Sequence, residues 1–195
     1  MNLPRRFLQF PALCALLLVS GFGTHAVVKA QESSAPMSAA SVVKTHVYAS
    51  LDPVPRGKEF QIALVVDIVN GYHMNSHKPL DSYLIPTTLT PQLPPGFTLA
   101  ETIYPNGRNK TFPFSPDKPL NVYTGSVTLR LRLTAGEDAP LGTKSVPMTF
   151  RYQACNNSAC LPPVKIPVSV EIKVAAAGAA ARAVHPEIFA ASSAK

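Results

Sequence analysis

Apolar and polar side chains alternate one for one through four stretches of the chain. Ile62, Leu64, Val66 and Ile68 sit between Ala63, Val65, Asp67 and Val69, and Val127, Leu129, Leu131 and Leu133 between Thr128, Arg130, Arg132 and Thr134. Val146, Met148, Phe150 and Tyr152 alternate with Pro147, Thr149, Arg151 and Gln153, and Val168, Val170, Ile172 and Val174 with Ser169, Glu171 and Lys173. Successive strand residues point to opposite faces, so this pattern predicts strands with one face in a core and one in water. Weaker strands fit Val42 to Tyr48, Leu84 to Thr90 and Phe97 to Tyr104. The clusters "PVPRGK", "PQLPPG", "PNGRN" and "GEDAPLG" punctuate them as turns. Seven or eight short antiparallel strands without a helical period predict an all-β, immunoglobulin-like antiparallel β-sandwich. The stretch "TFPFSPDKPLNVY", residues 111–123, breaks the pattern. Rich in proline and aromatics, it reads as a long loop, and loops of that length usually have a function.

The two ends fall outside this pattern. Residues 1–30 have a basic start at Arg5 and Arg6, an apolar stretch from Phe10 to Phe22 and the small-residue exit Val28-Lys29-Ala30, as expected of a cleavable export signal. The apolar stretch is short of the roughly 20 residues of a membrane span. Cys14 follows Leu13, where a lipoprotein signal has a small residue, so no lipid anchor is expected. Residues 31–42 read as a flexible leader, 43–174 as the folded domain and 175–195 as an alanine-rich tail. Export predicts a periplasmic protein that does not span the membrane once the signal is removed.

Charge narrows the function. Of 18 basic residues, Arg5, Arg6 and Lys29 leave with the signal, so fifteen remain against eleven acidic ones. That mild excess is scattered, without a dense basic run or interleaved aromatics, and gives no basis for nucleic-acid binding. Sparse carboxylates offer no hydrolytic pair, and nothing matches a nucleophile elbow or a phosphate-binding glycine loop. His73, Met74 and His77 in "GYHMNSHKP" are of a type that suits copper, but a spacing of four outside a helix does not reliably converge two imidazoles. Both histidines read more simply as solvated, as does His185, and no metal or cofactor is expected.

Cys155 and Cys160 are the cysteines left after the signal, and an oxidising compartment lets them pair. Two readings stay open. As a staple, the short closed loop contributes only about 2 kcal/mol, because such cross-links act mainly on the unfolded chain. The strand phases also place "NNSA" in a hairpin that ladder hydrogen bonds already hold. As a reactive pair, two cysteines at a surface hairpin stand where a partner's sulfur can reach them. Pro162 and Pro163 stiffen the exit.

"YQACNNSACLPPV" resembles the active-site hairpin of the N-terminal periplasmic domain of the thiol:disulfide interchange protein DsbD, with a Tyr-Gln-x-Cys run and a second cysteine before Pro-Pro. "GYHMNSHKPLDSYLIPTTL" and "FPFSPDKPLNVYTGSVTLRLRL" are similar to further family segments, so the resemblance spans roughly residues 43–174. It implies an immunoglobulin-like fold and a cofactor-free thiol:disulfide oxidoreductase. Electrons would pass between proteins, in the transfer that serves cytochrome c maturation. Cys160 would exchange with partners and Cys155 would resolve the mixed disulfide. Tyr152, Gln153, Pro162 and Pro163 would support them, and an aromatic cap would be drawn from Phe112 and Phe114, neither on an expected core face. Expected partners are thioredoxin-like periplasmic proteins or a membrane thiol-electron transporter. The cysteines lie one residue closer than in the best-known members. The family's membrane and thioredoxin-like domains have no counterpart here, so either a separate electron donor or another purpose is expected. The rival functions are a binding module with a structural disulfide, recognising through residues 111–123, and a copper carrier.

Overall fold

The computed structural model describes residues 37–190; the expected export signal with its Cys14, residues 31–36 of the leader and residues 191–195 lie outside the described residues. Two four-stranded sheets form the body. One orders β1 (Val43–Ala49), β4 (Lys58–Ile68), β10 (Ser126–Ala135) and β7 (Phe97–Ile103). The other orders β3 (Val54–Pro55), β13 (Val164–Ala175), β11 (Gly142–Tyr152) and β6 (Thr88–Pro91). All pairings are antiparallel except that of β13 with β3. This is the all-β sandwich expected from the alternation.

The register explains why the alternating residues dominate. Leu64 lies opposite Leu129, Ile62 opposite Leu131 and Phe60 opposite Leu133, so whole rows of one face are apolar. From the second sheet Val146, Met148, Phe150 and Tyr152 complete the same buried cluster. Each such side chain contributes roughly 1.5–3 kcal/mol when fully removed from water.

A third sheet, smaller and at one end, orders β12 (Ala154–Cys155), β5 (His73–Asn75), β9 (Ser115–Tyr123) and β8 (Arg108–Phe112). It corrects the reading of residues 111–123 as a loop. They form the tip and second arm of a β-hairpin, with Lys110 opposite Leu120 and Phe112 opposite Ser115. The prolines that signalled a loop are tolerated because they fall at the tip and where the register slips, positions that need no regular ladder donor.

Three boundaries also differ. The strand expected from Leu84 is confined to Thr88–Pro91, and Leu84 packs instead on Phe112, Leu120 and Val122. The leader's last residues form a 3-10 turn over Ala39–Val42, whose Val42 is fully buried. The alanine-rich segment, lacking an apolar face, is held largely by its backbone. β14 (Arg182–Ala183) pairs with β2 (Leu51–Asp52), and the Arg130 guanidinium donates to the Ile188 carbonyl in α1 (Pro186–Phe189). His185 is exposed, with its ring centroid 4.8 Å from that of Tyr48.

Candidate active site

Strand β11 ends at Tyr152, and the chain leaves the sandwich to enter the third sheet at Ala154. Cys155 and Cys160 are bridge partners across a hairpin, joined by a disulfide with their Cα atoms 3.9 Å apart. The turn between them is self-supporting. The Asn156 amide donates to the Ala159 carbonyl at 2.9 Å, and the Asn156 Oδ1 accepts from the amides of Ser158 and Ala159 at 2.8 and 2.9 Å. Below it the Leu161 amide donates to the Ala154 carbonyl. An Asn side chain that mimics a backbone turn in this way makes "CNNSAC" close on itself.

The two sulfurs belong to different environments. Cys155 is fully buried, whereas Cys160 is exposed. Cys155 is buried where β12 meets β5. Cys155 lies opposite His73 and Ala154 opposite Met74. On the far side of β5, Met74 and Asn75 lie opposite Tyr123 and Val122. Gly71 makes this placement possible, because its φ of 86° lets the chain turn sharply from β4 into β5. The ring of Phe112 stacks on that of His73, centroids 3.9 Å apart, and Phe114 stacks on Phe112 at 5.5 Å.

The two aromatics expected to form a cap therefore divide. Phe112 is 9% exposed and joins a satellite apolar cluster with Leu120 and Val122, whereas Phe114 is 41% exposed at the tip. The expectation that neither belongs to a core is corrected for Phe112: a hairpin curling over the third sheet turns one aromatic inward. Gln153 braces the site. Its Oε1 accepts from the Asn75 Nδ2 at 3.4 Å and its Nε2 donates to the Leu161 carbonyl at 3.3 Å. Tyr152 stands further back. Fully buried, it donates its hydroxyl to the Ala39 carbonyl at 2.6 Å, and burial pushes its pKa up to about 12. Pro162 and Pro163 are exposed and lead into β13.

His73 corrects its reading as solvated. It is 2% exposed, its Nε2 has no hydrogen-bond partner, and burial, reinforced by the Lys110 charge, lowers its pKa to about 4. Three consecutive buried residues, His73-Met74-Asn75, have no alternation by which to announce a strand; the register across to Cys155 reveals them. His77 is also not simply solvated. Its ring stacks on Tyr104 at 3.6 Å and its Nδ1 contacts the Thr87 carbonyl at 3.0 Å. Met74 joins the main core rather than the His73 face, so the copper trio is not assembled. Among the described residues no group of three or more His, Cys, Asp or Glu side chains is placed to hold a metal ion.

The family model for the thiol:disulfide interchange protein DsbD, N-terminal, matches residues 39–171. The chain belongs to the DsbD N-terminal family. Membership makes it a thiol:disulfide exchange domain, with oxidoreductase-type chemistry and thiol-redox partners in general terms. Among solved structures, the Neisseria meningitidis DsbD N-terminal domain in its reduced form is similar at a TM-score of 0.43 and 15% identity, over 75% of this chain and 94% of that one. AggA, the major subunit of aggregative adherence fimbriae type I from Escherichia coli, is similar at a TM-score of 0.32 and 7% identity, over 68% and 95%. No curated protein matches the sequence. Among the described residues no helix is long and apolar enough to cross a membrane.

Proposed function

We propose that this DsbD N-terminal domain relays reducing equivalents between proteins in the periplasm, through the Cys155–Cys160 pair. The observation that carries the reading is the unequal burial of the two sulfurs. An incoming thiolate can reach the exposed Cys160, while Cys155 is fully buried opposite His73, the ring on which Phe112 stacks. In the first step a partner thiolate attacks the Cys160 Sγ, a new S–S bond forms, and the Cys155–Cys160 bond breaks with Cys155 leaving as thiolate. The partner's second thiol then attacks its own sulfur in the mixed disulfide and frees Cys160. The partner dithiol is oxidised, the domain is reduced by two electrons, and two protons follow. The reverse sequence passes the electrons to an acceptor disulfide. Thioredoxin-like proteins or a membrane thiol-electron transporter fit as partners, because each presents a dithiol.

Phe112 and Phe114 act as the cap in this scheme, limiting access by small thiols. Gln153 holds the two sides of the hairpin at fixed separation, and Pro162 and Pro163 stiffen its exit.

The test is the reduction potential of the purified domain together with its reduction by a thioredoxin-like dithiol. A relay pair is reduced quickly and has a potential well above about −300 mV, the region below which structural disulfides lie. A bond that resists such a partner in a folded domain would return the pair to a staple.

A further inference from the structure

Cys155 and His73 face each other across two antiparallel strands, and directly opposed residues in such a pair share a face with Cβ atoms about 4.5–5.5 Å apart. The same face carries Asn75, two residues along β5. Cys155 and Asn75 are 0% exposed and His73 is 2% exposed. Two atoms on this face, the His73 Nε2 and the Asn75 Oδ1, are buried without a hydrogen-bond partner. The His73 Nε2 therefore has no protein partner to compete for its lone pair on the face that it shares with a buried cysteine. Phe112 closes the stack from above. A cavity of about 240 Å³ opens beside it, with Gly71, Lys110 and Asn157 in its lining, and gives water a way to the ring.

We propose that His73 is the general base of the resolving step, taking the proton from the Cys155 thiol so that its thiolate can attack. The inference deepens the relay reading and rests on the pair cycling between dithiol and disulfide. In the reduced domain Cys160 attacks an acceptor disulfide and enters a mixed disulfide. Cys155 is then a thiol shut away from water, and burial disfavours its ionisation. The S–H bond breaks, and the proton and a His73 ring lone pair form an N–H bond. The Cys155 thiolate attacks the Cys160 Sγ, the intramolecular S–S bond forms, and the acceptor's sulfur leaves as thiolate. The imidazolium returns its proton through the cavity to water or to that leaving sulfur. The domain's dithiol is oxidised by two electrons and the acceptor is reduced by the same two.

The charges around the ring suit a base whose proton affinity is set by the redox state. Lys110 acts on it from the hairpin arm and Cys155 faces it from β12, and no carboxylate is among the charges shifting it. With the disulfide closed, burial and Lys110 keep the imidazole neutral, with a pKa of about 4. A thiolate at Cys155 adds the missing opposite charge and raises it.

Reduced full chain is mixed with an aryl disulfide that releases coloured thionitrobenzoate. Attack by Cys160 gives the first release and attack by Cys155 on the mixed disulfide gives the second. In His73→Phe, which keeps the stack but has no ring nitrogen, the ratio of second to first rate constants should fall at least about tenfold at neutral pH, a modest loss for a general base. The second rate should also become steeply dependent on pH up to the thiol range. An unchanged ratio and pH profile in the folded variant would overturn the proposal. Nuclear magnetic resonance of the His73 ring in the unaltered reduced protein gives an independent reading: its ring-nitrogen signals should move as Cys155 ionises in the thiol range, and signals that stay flat there would equally defeat the idea. A disulfide that no dithiol opens would defeat the relay as well, whereas an unchanged ratio in a reducible domain defeats the base alone.

Discussion

Strands β11 and β13 meet over eleven register pairs, whereas β12 and β5 meet over two. The long pair contributes alternating side chains to a core shared with the opposite sheet. The short pair contributes Cys155, His73, Ala154 and Met74, of which Met74 and Ala154 join the main core and His73 lies against Phe112 of the hairpin. Regular apolar rows make the sandwich a scaffold, and the third sheet, with few ladder bonds and two unpartnered buried polar atoms, sits on it as an attachment. The packed scaffold and the proposed reactive pair thereby fall in separate parts of one domain. Segments with few ladder bonds open at lower free energy than a packed core.

The largest effect that would test this division is in the scaffold. Leu131→Ala, at a fully buried position opposite Ile62, should cost about 2–5 kcal/mol in urea unfolding. The rate at which the reduced pair reacts with a small alkylating reagent should stay the same. A large change in that rate would show that the two parts are coupled.

Acid should act on the attachment. His73 has a pKa of about 4 when folded against an ordinary value of 6.5, so the unfolded chain binds the proton more readily. Its contribution is therefore fully present above pH 6.5 and is lost as pH falls toward 4, up to about 3 kcal/mol. Urea unfolding at the two pH values should show this loss, and His73→Phe should flatten it. An equal loss in the variant would mean that acid acts elsewhere.

Removal of both sulfurs comes next. Cys155→Ser with Cys160→Ser should leave the β spectrum in circular dichroism intact, with a loss of about 2 kcal/mol, because the closed loop is short. An unfolded double variant would make the third sheet part of the scaffold.

The smallest expected change in stability separates the two aromatics of the proposed cap. Phe114→Ala should lie within about 0.5 kcal/mol of the parent, as at other exposed positions. Phe112→Ala should lose more, because it empties the satellite cluster. Both should speed alkylation of the reduced pair by opening access. Unchanged alkylation in both would remove the hairpin from the gating of the site.

The same division decides what could be read from the sequence. Period-two alternation needs length, so the cores of β4, β10, β11 and β13 were legible residue by residue. The hairpin was not. Pro113, Pro116 and Pro119 argue locally against strand, and only pairing between β8 and β9 overrides them. The cysteines were legible through their motif. His73 was invisible as a partner of Cys155, because their opposition is a long-range register that no local pattern encodes. The alanine-rich segment was missed for a related reason. It docks through its backbone, and backbone groups are the same whatever the side chains.

The turn at Asn156 has a consequence for the chemistry of release. Its side chain fixes two amides and the Ala154–Leu161 bond closes the base, so the ring around the cysteines is held by hydrogen bonds as well as by sulfur. None of these hydrogen bonds uses a sulfur atom, so the two thiols of an opened pair are expected to stay neighbours at a high effective molarity. In the proposed relay, a partner held on Cys160 would compete with an attacker close at hand, and intramolecular displacement of this kind outpaces capture by a second protein from solution. On that reading the hairpin would make each covalent encounter brief.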